Sequence, residues 1–88
     1  MCDYTLSDTI ALMTSDDYKD RFKAEYFQTK LRYDKLKSII VKADAGTLEF
    51  EPICSIGKLR DQALYMGEYL HVLEIRAECE GIDLTWQG

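Results

Sequence analysis

The stretch IGKLRDQALYMGEYLHVLEIRA, residues 56–77, decides the fold. Its apolar residues Ile56, Leu59, Ala63, Met66, Leu70, Leu73 and Ala77 recur at alternating spacings of three and four. That rhythm returns a side chain to one helix face every turn, so the stretch predicts a long amphipathic helix with a coiled-coil seam. Ser55 precedes it as a candidate N-cap, because a serine hydroxyl accepts from the backbone N–H groups that a first turn leaves unpaired. Gly81 follows as a left-handed cap, with Ile82 placed to contact the last turn. Leu84 and Trp86 make an apolar tail that is expected to dock on the helices.

The same rhythm appears upstream in Phe22, Tyr26, Thr29, Tyr33, Leu36 and Ile40. Ser15-Asp16-Asp17 reads as the start of that helix, with Ser15 as the cap and the aspartates at the positive end of the helix dipole. Ala45-Gly46 reads as its end. The connection, Thr47 to Cys54, alternates Leu48 and Phe50 with Glu49 and Glu51 before Pro52 stops regular structure. Leu48 and Phe50 are expected to fold back over the open end of the hairpin. Each helix has about 26–28 residues, roughly 40 Å, and so short a connection makes them antiparallel. Leu36 then lies near Leu59, and Phe22 near Leu73. The expected fold is all-α: an antiparallel two-helix hairpin, about 16–43 and 55–80, with a short N-terminal helix, oligomerising into a helical bundle. Residues 1–14 form the extension or short helix, capped by Ser7, and residues 15–88 the hairpin with its tail.

The chain has 88 residues, a single domain's length, with 47% apolar and 31% charged types. No apolar run reaches membrane-spanning length. Residues 1–14 carry Asp3 and Asp8 and no Lys or Arg, unlike a secretory signal. Cys2, Cys54 and Cys79 are odd in number and far apart, which fits reduced cytosolic thiols better than a disulfide scaffold or a zinc site. A net charge of −5 argues against binding a nucleic-acid backbone, which needs a basic face. The charge serves solubility; the other use of an acidic surface is to mimic nucleic acid in a basic groove.

The seam of a two-helix hairpin buries too little to hold so small a chain alone. A second apolar stripe lies off the seam: Ala24, Phe27 and Leu31 on the first helix, and Tyr65, Val72, Ile75 and Cys79 on the second. Such a stripe marks an interface, and a two-fold dimer forming a four-helix bundle closes it most simply. Phe27, Leu31, Tyr65, Val72 and Ile75 are the expected oligomer contacts. The alternative is that residues 1–14 and the Trp86 tail cover the stripe within one chain.

Catalytic chemistry has little to stand on. His71 is a lone histidine on an outer face beside Glu68 and Glu74, with no nucleophile pattern around it. No Glu-x-x-His pair or glycine-rich phosphate loop occurs, so neither metal, cofactor nor catalytic residue is expected, and the chain reads as a non-enzyme. The edge of the seam is more informative. Glu25, Arg32 and Ile39 share one heptad position, and Gln62, Tyr69 and Arg76 share the matching one. Antiparallel packing sets these edges face to face, Arg32 near Gln62 and Glu25 between Tyr69 and Arg76, with Tyr26, Tyr33 and Tyr65 close by. Edge charges ordinarily set helix register. They also supply the parts of a nucleotide site: an arginine fork for phosphate, a tyrosine face for stacking and an amide for a base edge. Arg32, Gln62, Tyr69, Arg76 and Tyr26 are therefore the candidate ligand-binding residues.

These edges also carry a resemblance. Glu25-Tyr26, Thr29, Arg32 and Lys35-Leu36, followed by Leu59, Gln62, Met66, Tyr69, Leu73 and Arg76, resemble a family of small helical hairpin proteins of crAss-like and other tailed phages and prophages. The likeness spans roughly residues 16–84. The chain departs from it at Thr29, where leucine is common, and in the first dozen residues and Trp86. The family carries no firmly assigned activity. The resemblance implies a phage-type accessory protein in a host bacterial cytoplasm, with a counter-defence role. Two modes of action are open by analogy: an oligomeric sponge that sequesters a nucleotide immune signal without cleaving it, or an inhibitor that blocks a host defence protein in the manner of an anti-CRISPR. A structural or assembly role is the third possibility.

Overall fold

A computed structural model of the chain describes residues 3–86. Met1, Cys2, Gln87 and Gly88 lie outside the described residues, and with them the reading of Cys2 as a reduced thiol. A 3-10 turn, Ser7–Thr9, leads into a short helix α1, Ile10–Met13; α2 covers Tyr18–Ala45 and α3 covers Ile56–Glu80. The described residues contain no strand. The 28 residues of α2 account for the longest dimension of the molecule, 43 Å.

Both long helices begin and end on specific local chemistry. The α3 cap is Ser55, whose hydroxyl accepts from the Lys58 N–H at 3.2 Å. The α2 cap is Asp17, two residues beyond the serine expected there, and its carboxylate accepts from the Lys19 N–H at 2.9 Å. Ser15 works one step earlier: its hydroxyl accepts from the Asp17 N–H at 3.1 Å and donates to the Asp20 carboxylate at 2.9 Å. Ser7 does not cap the N-terminal turn either. Asp8 reaches back to accept from the Thr5 N–H at 2.8 Å, which closes the turn from its second residue. Gly46 and Gly81 both end their helices in the left-handed region, at φ 75° and 70°, where a residue with a Cβ is strained.

The antiparallel arrangement shows in its cross-links, whose numbers descend on one helix as they rise on the other. Tyr18 donates to Glu80, Tyr26 to Glu74, and Arg60 pairs with Asp44. The seam is buried at two places. Toward one end Phe22, Leu73, Ala77 and Ile82 pack together with Tyr26 and Leu84. Toward the other, Leu36, Ile40 and Ala63 pack with Tyr33, Leu59 and Met66. Of the two connection residues, Leu48 is half-buried while Phe50 stays exposed, so only Leu48 closes over the hairpin end as expected.

The first helix's share of the second stripe does not face water. Phe27 is only 3% exposed and Ala24 only 1%. Tyr4 and Trp86 cover Phe27, with ring centroids 4.9 and 5.1 Å from it, and stack on each other at 4.7 Å. Behind them Thr9, fully buried, donates to the Leu6 carbonyl at 2.7 Å and accepts from the Gln28 amide at 2.8 Å. Phe27 is thus buried by its own chain, and the expectation that it meets a second subunit is corrected. The α3 half of the stripe stays open: Tyr65 is 66% exposed, and Val72 and Ile75 are each 50% exposed.

Candidate functional site

Three of the residues singled out on the seam edge meet as expected. Tyr69 donates its hydroxyl hydrogen to Glu25, and the Glu25 carboxylate also acts on Arg76. Arg76 is held further by Glu80, whose carboxylate accepts from Nε at 3.2 Å, by the Tyr18 hydroxyl, and by the face of Phe22, 5.0 Å from its guanidinium. Its charged form is favoured: desolvation works against it, but Tyr18, Glu80 and Glu25 together override that. The Tyr69 phenol is pushed up to about 12, first by its bond to Glu25, then by burial and the carboxylate's charge. This corner is already satisfied from within. Its groups bond to one another, which is the arrangement of a register lock between helices more than that of a waiting ligand site.

Tyr26 lies elsewhere. It donates to Glu74 at 2.7 Å, and Glu74 is five residues from Tyr69 on α3. Five residues turn a helix by roughly 140°, so Tyr26 serves the opposite flank of the seam. Tyr33 lies on that flank too, against Gly67, where an added Cβ would stand 3.2 Å from the phenol oxygen. The Lys30 and Lys37 ammonium groups each lie 5.6 Å from the Tyr33 ring centre. Gln62 is exposed on the outer part of α3.

Arg32 lies in the wall of a different feature. A groove of about 340 Å³ runs between the N-terminal segment and α2, lined by Tyr4, Thr5, Leu6, Leu31, Arg32 and Lys35. Four of the eleven Lys and Arg residues of this acidic chain are ion-paired among the described residues: Lys30 with Asp34, Lys58 with Asp61, Arg60 with Asp44, Arg76 with Glu80. Arg32 and Lys35 have no ion-pair partner among the described residues. Two cations without an ion pair above an apolar floor have the chemistry to hold an anion with an apolar body. Lys35 entered the sequence argument only as part of the family motif, and Tyr4 did not enter it. Lys35 falls on no seam or edge position, and Tyr4 reaches the groove only because the N-terminal segment folds onto α2. Leu31, expected at a subunit contact, is a half-buried part of this lining.

Other concavities lie among the described residues. One, about 430 Å³, lies over the α2–α3 connection and includes Glu49 and Glu51, so it repels anions. Another, about 480 Å³, is the flank by Tyr33 and Gly67, where Leu64, Val72, Glu68 and His71 line the wall. No group of three His, Cys, Asp or Glu side chains among the described residues has the closeness a metal needs. No described helix is long and apolar enough to cross a membrane.

The family model described as Sequestin matches residues 16–79, both long helices and their connection. The chain belongs to the Sequestin family. No curated protein and no solved structure matches it. The matched segment contains Arg32, Lys35, Gln62, Tyr69 and Arg76, while Tyr4 and Trp86, which form and brace the far wall of the groove, lie outside it.

Proposed function

We propose that this Sequestin-family protein is an oligomeric sponge that sequesters a small nucleotide immune signal without cleaving it, as a phage-type counter-defence protein in a bacterial cytoplasm. The observation that carries the reading is the unpaired Arg32–Lys35 pair above the apolar groove. The family's name agrees with a sequestering role. Binding without chemistry suits this groove, because its lining holds no nucleophile beside a general base. Phosphate would take the bidentate fork of Arg32, and the planar part of the ligand would lie against Tyr4 and Leu31. Self-association would raise the number of molecules one particle holds, and the open Tyr65, Val72 and Ile75 face of α3 is where it would occur.

Calorimetry with cyclic dinucleotides and cyclic ADP-ribose products tests the proposal. The expected result is saturable binding that Arg32→Gln weakens about tenfold, the loss of one charge-assisted contact. After heat denaturation the ligand should be recovered chemically intact. Recovery of a cleaved product would make the protein an enzyme and end the sponge reading.

The open α3 face also supports a second reading, that the protein blocks a defence protein by docking on it. Tyr65→Glu with Val72→Glu would then abolish counter-defence in cells while leaving nucleotide binding unchanged. The sponge reading expects cellular activity to follow Arg32 instead.

A further inference from the structure

We infer that the ligand of the groove is built on a single base, one planar ring system with its phosphate, and that one chain supplies the whole site. The inference rests on the sequestration reading and narrows it. At about 340 Å³ the groove stands at the lower end of the ~300–1,000 Å³ range of small-molecule pockets. That volume accommodates one ring and a sugar, with the phosphate outside on the cations.

The chemistry of the lining divides the ligand in the same way. Tyr4, Leu6 and Leu31 offer faces for one flat apolar body. Arg32 and Lys35 lie one helical turn apart at three residues' separation, so both reach the same phosphate from one side. No second pair of unpaired cations lines the groove to take another phosphate. Its wall is also held before any ligand arrives. Tyr4 is stacked on Trp86 and rests on Phe27, while Thr9 and Gln28 tie the segment behind it to α2. A preformed wall reduces the ordering cost of binding. Lys35 and Tyr4 are thereby binding residues alongside Arg32, and a second copy of the chain is not needed to complete the site.

Trp86 is the chain's one tryptophan and stacks on the groove wall, so its emission reports occupancy there. The full chain is titrated with 5′-AMP, adenosine, inorganic phosphate and a cyclic dinucleotide, following Trp86 emission and binding heat together. The expected result is saturable binding of 5′-AMP with both signals moving. Adenosine and phosphate alone should each bind at least about tenfold more weakly, and Lys35→Gln should weaken 5′-AMP by about tenfold with its circular dichroism unchanged. Tighter binding of the cyclic dinucleotide than of 5′-AMP would overturn the single-base class while leaving sequestration standing. Phosphate binding as tightly as 5′-AMP would reduce the groove to an anion patch. Binding heat with no change at Trp86, or with no effect of Lys35→Gln, would place the ligand elsewhere. Failure of all four probes would remove the single-base inference, and the cyclic ADP-ribose titration would then decide separately whether sequestration itself stands.

Discussion

A phenol that gives its hydrogen to a carboxylate resists losing it, because ionisation would set two negative charges face to face. Tyr69 stands in that position against Glu25, and its value of about 12 lies above the ordinary 10 of an exposed phenol. Folding thus favours the protonated form. The stabilisation is complete below pH 10 and is lost as the pH rises from 10 through 12. Tyr69→Phe is expected to lower stability by about 0.5–1 kcal/mol at neutral pH, the net value of an exposed hydrogen bond. The difference from the parent chain should shrink above pH 10, because the parent then loses the same bond. Urea midpoints for both proteins at pH 7 and pH 11 check this, and a gap that stays constant would mean the phenol is not carrying it. This contact was legible beforehand: the heptad frame put Glu25 between Tyr69 and Arg76, and both act on it. Thr9 was not legible. It is buried through two hydrogen bonds, one of them to a residue nineteen positions away, and no periodicity announces such a pair.

Helices trade intrinsic preference against packing, and α3 does so openly at Gly67. A mid-helix glycine costs about 1 kcal/mol relative to alanine. The compensation is the approach of Tyr33, whose phenol oxygen and ring carbons would stand 3.2 to 3.4 Å from an added Cβ. Gly67→Ala should therefore gain clearly less than about 1 kcal/mol, and the full gain should appear only when Tyr33→Leu removes the ring. A double-mutant cycle by urea denaturation measures the coupling, and additive values would show that the ring yields freely. The elements themselves were readable in the sequence because the three-four spacing and the two capping glycines follow from backbone geometry alone. Their starts were less so. Ser15 and Asp17 both have cap chemistry within three residues, and the choice of Asp17 depends on Ser15 being engaged by Asp20 and the Asp17 amide. Tyr26 was placed on the wrong flank for a related reason. A seam position one step from an edge can lean either way, and its partner Glu74 settles which.

At the scale of the molecule, the hairpin needs a third layer, and the chain supplies half of it. The N-terminal segment and the Trp86 tail close the α2 face over Phe27, while Tyr65, Val72 and Ile75 on α3 stay open. Sequence periodicity located both halves of the stripe but could not say which a non-periodic segment would cover. The groove shares that history, since one wall comes from a segment with no repeating pattern. Deleting residues 3–14 should uncover Phe27, lower the melting temperature and add concentration-dependent association, which sedimentation velocity would detect; a deletion chain that stays monomeric at high concentration would argue against the covering role. The aromatic contact between Tyr4 and Trp86 has one more consequence. Residues close to opposite ends of the sequence stack at 4.7 Å, while Ile53 in the α2–α3 connection is fully exposed at 106%. Joining the two ends by a short glycine-rich linker and opening the backbone near Ile53 should give a circular permutant with native helicity and native tryptophan emission. The topology would then be that of a ring, and the order in which its helices are made would become a free choice.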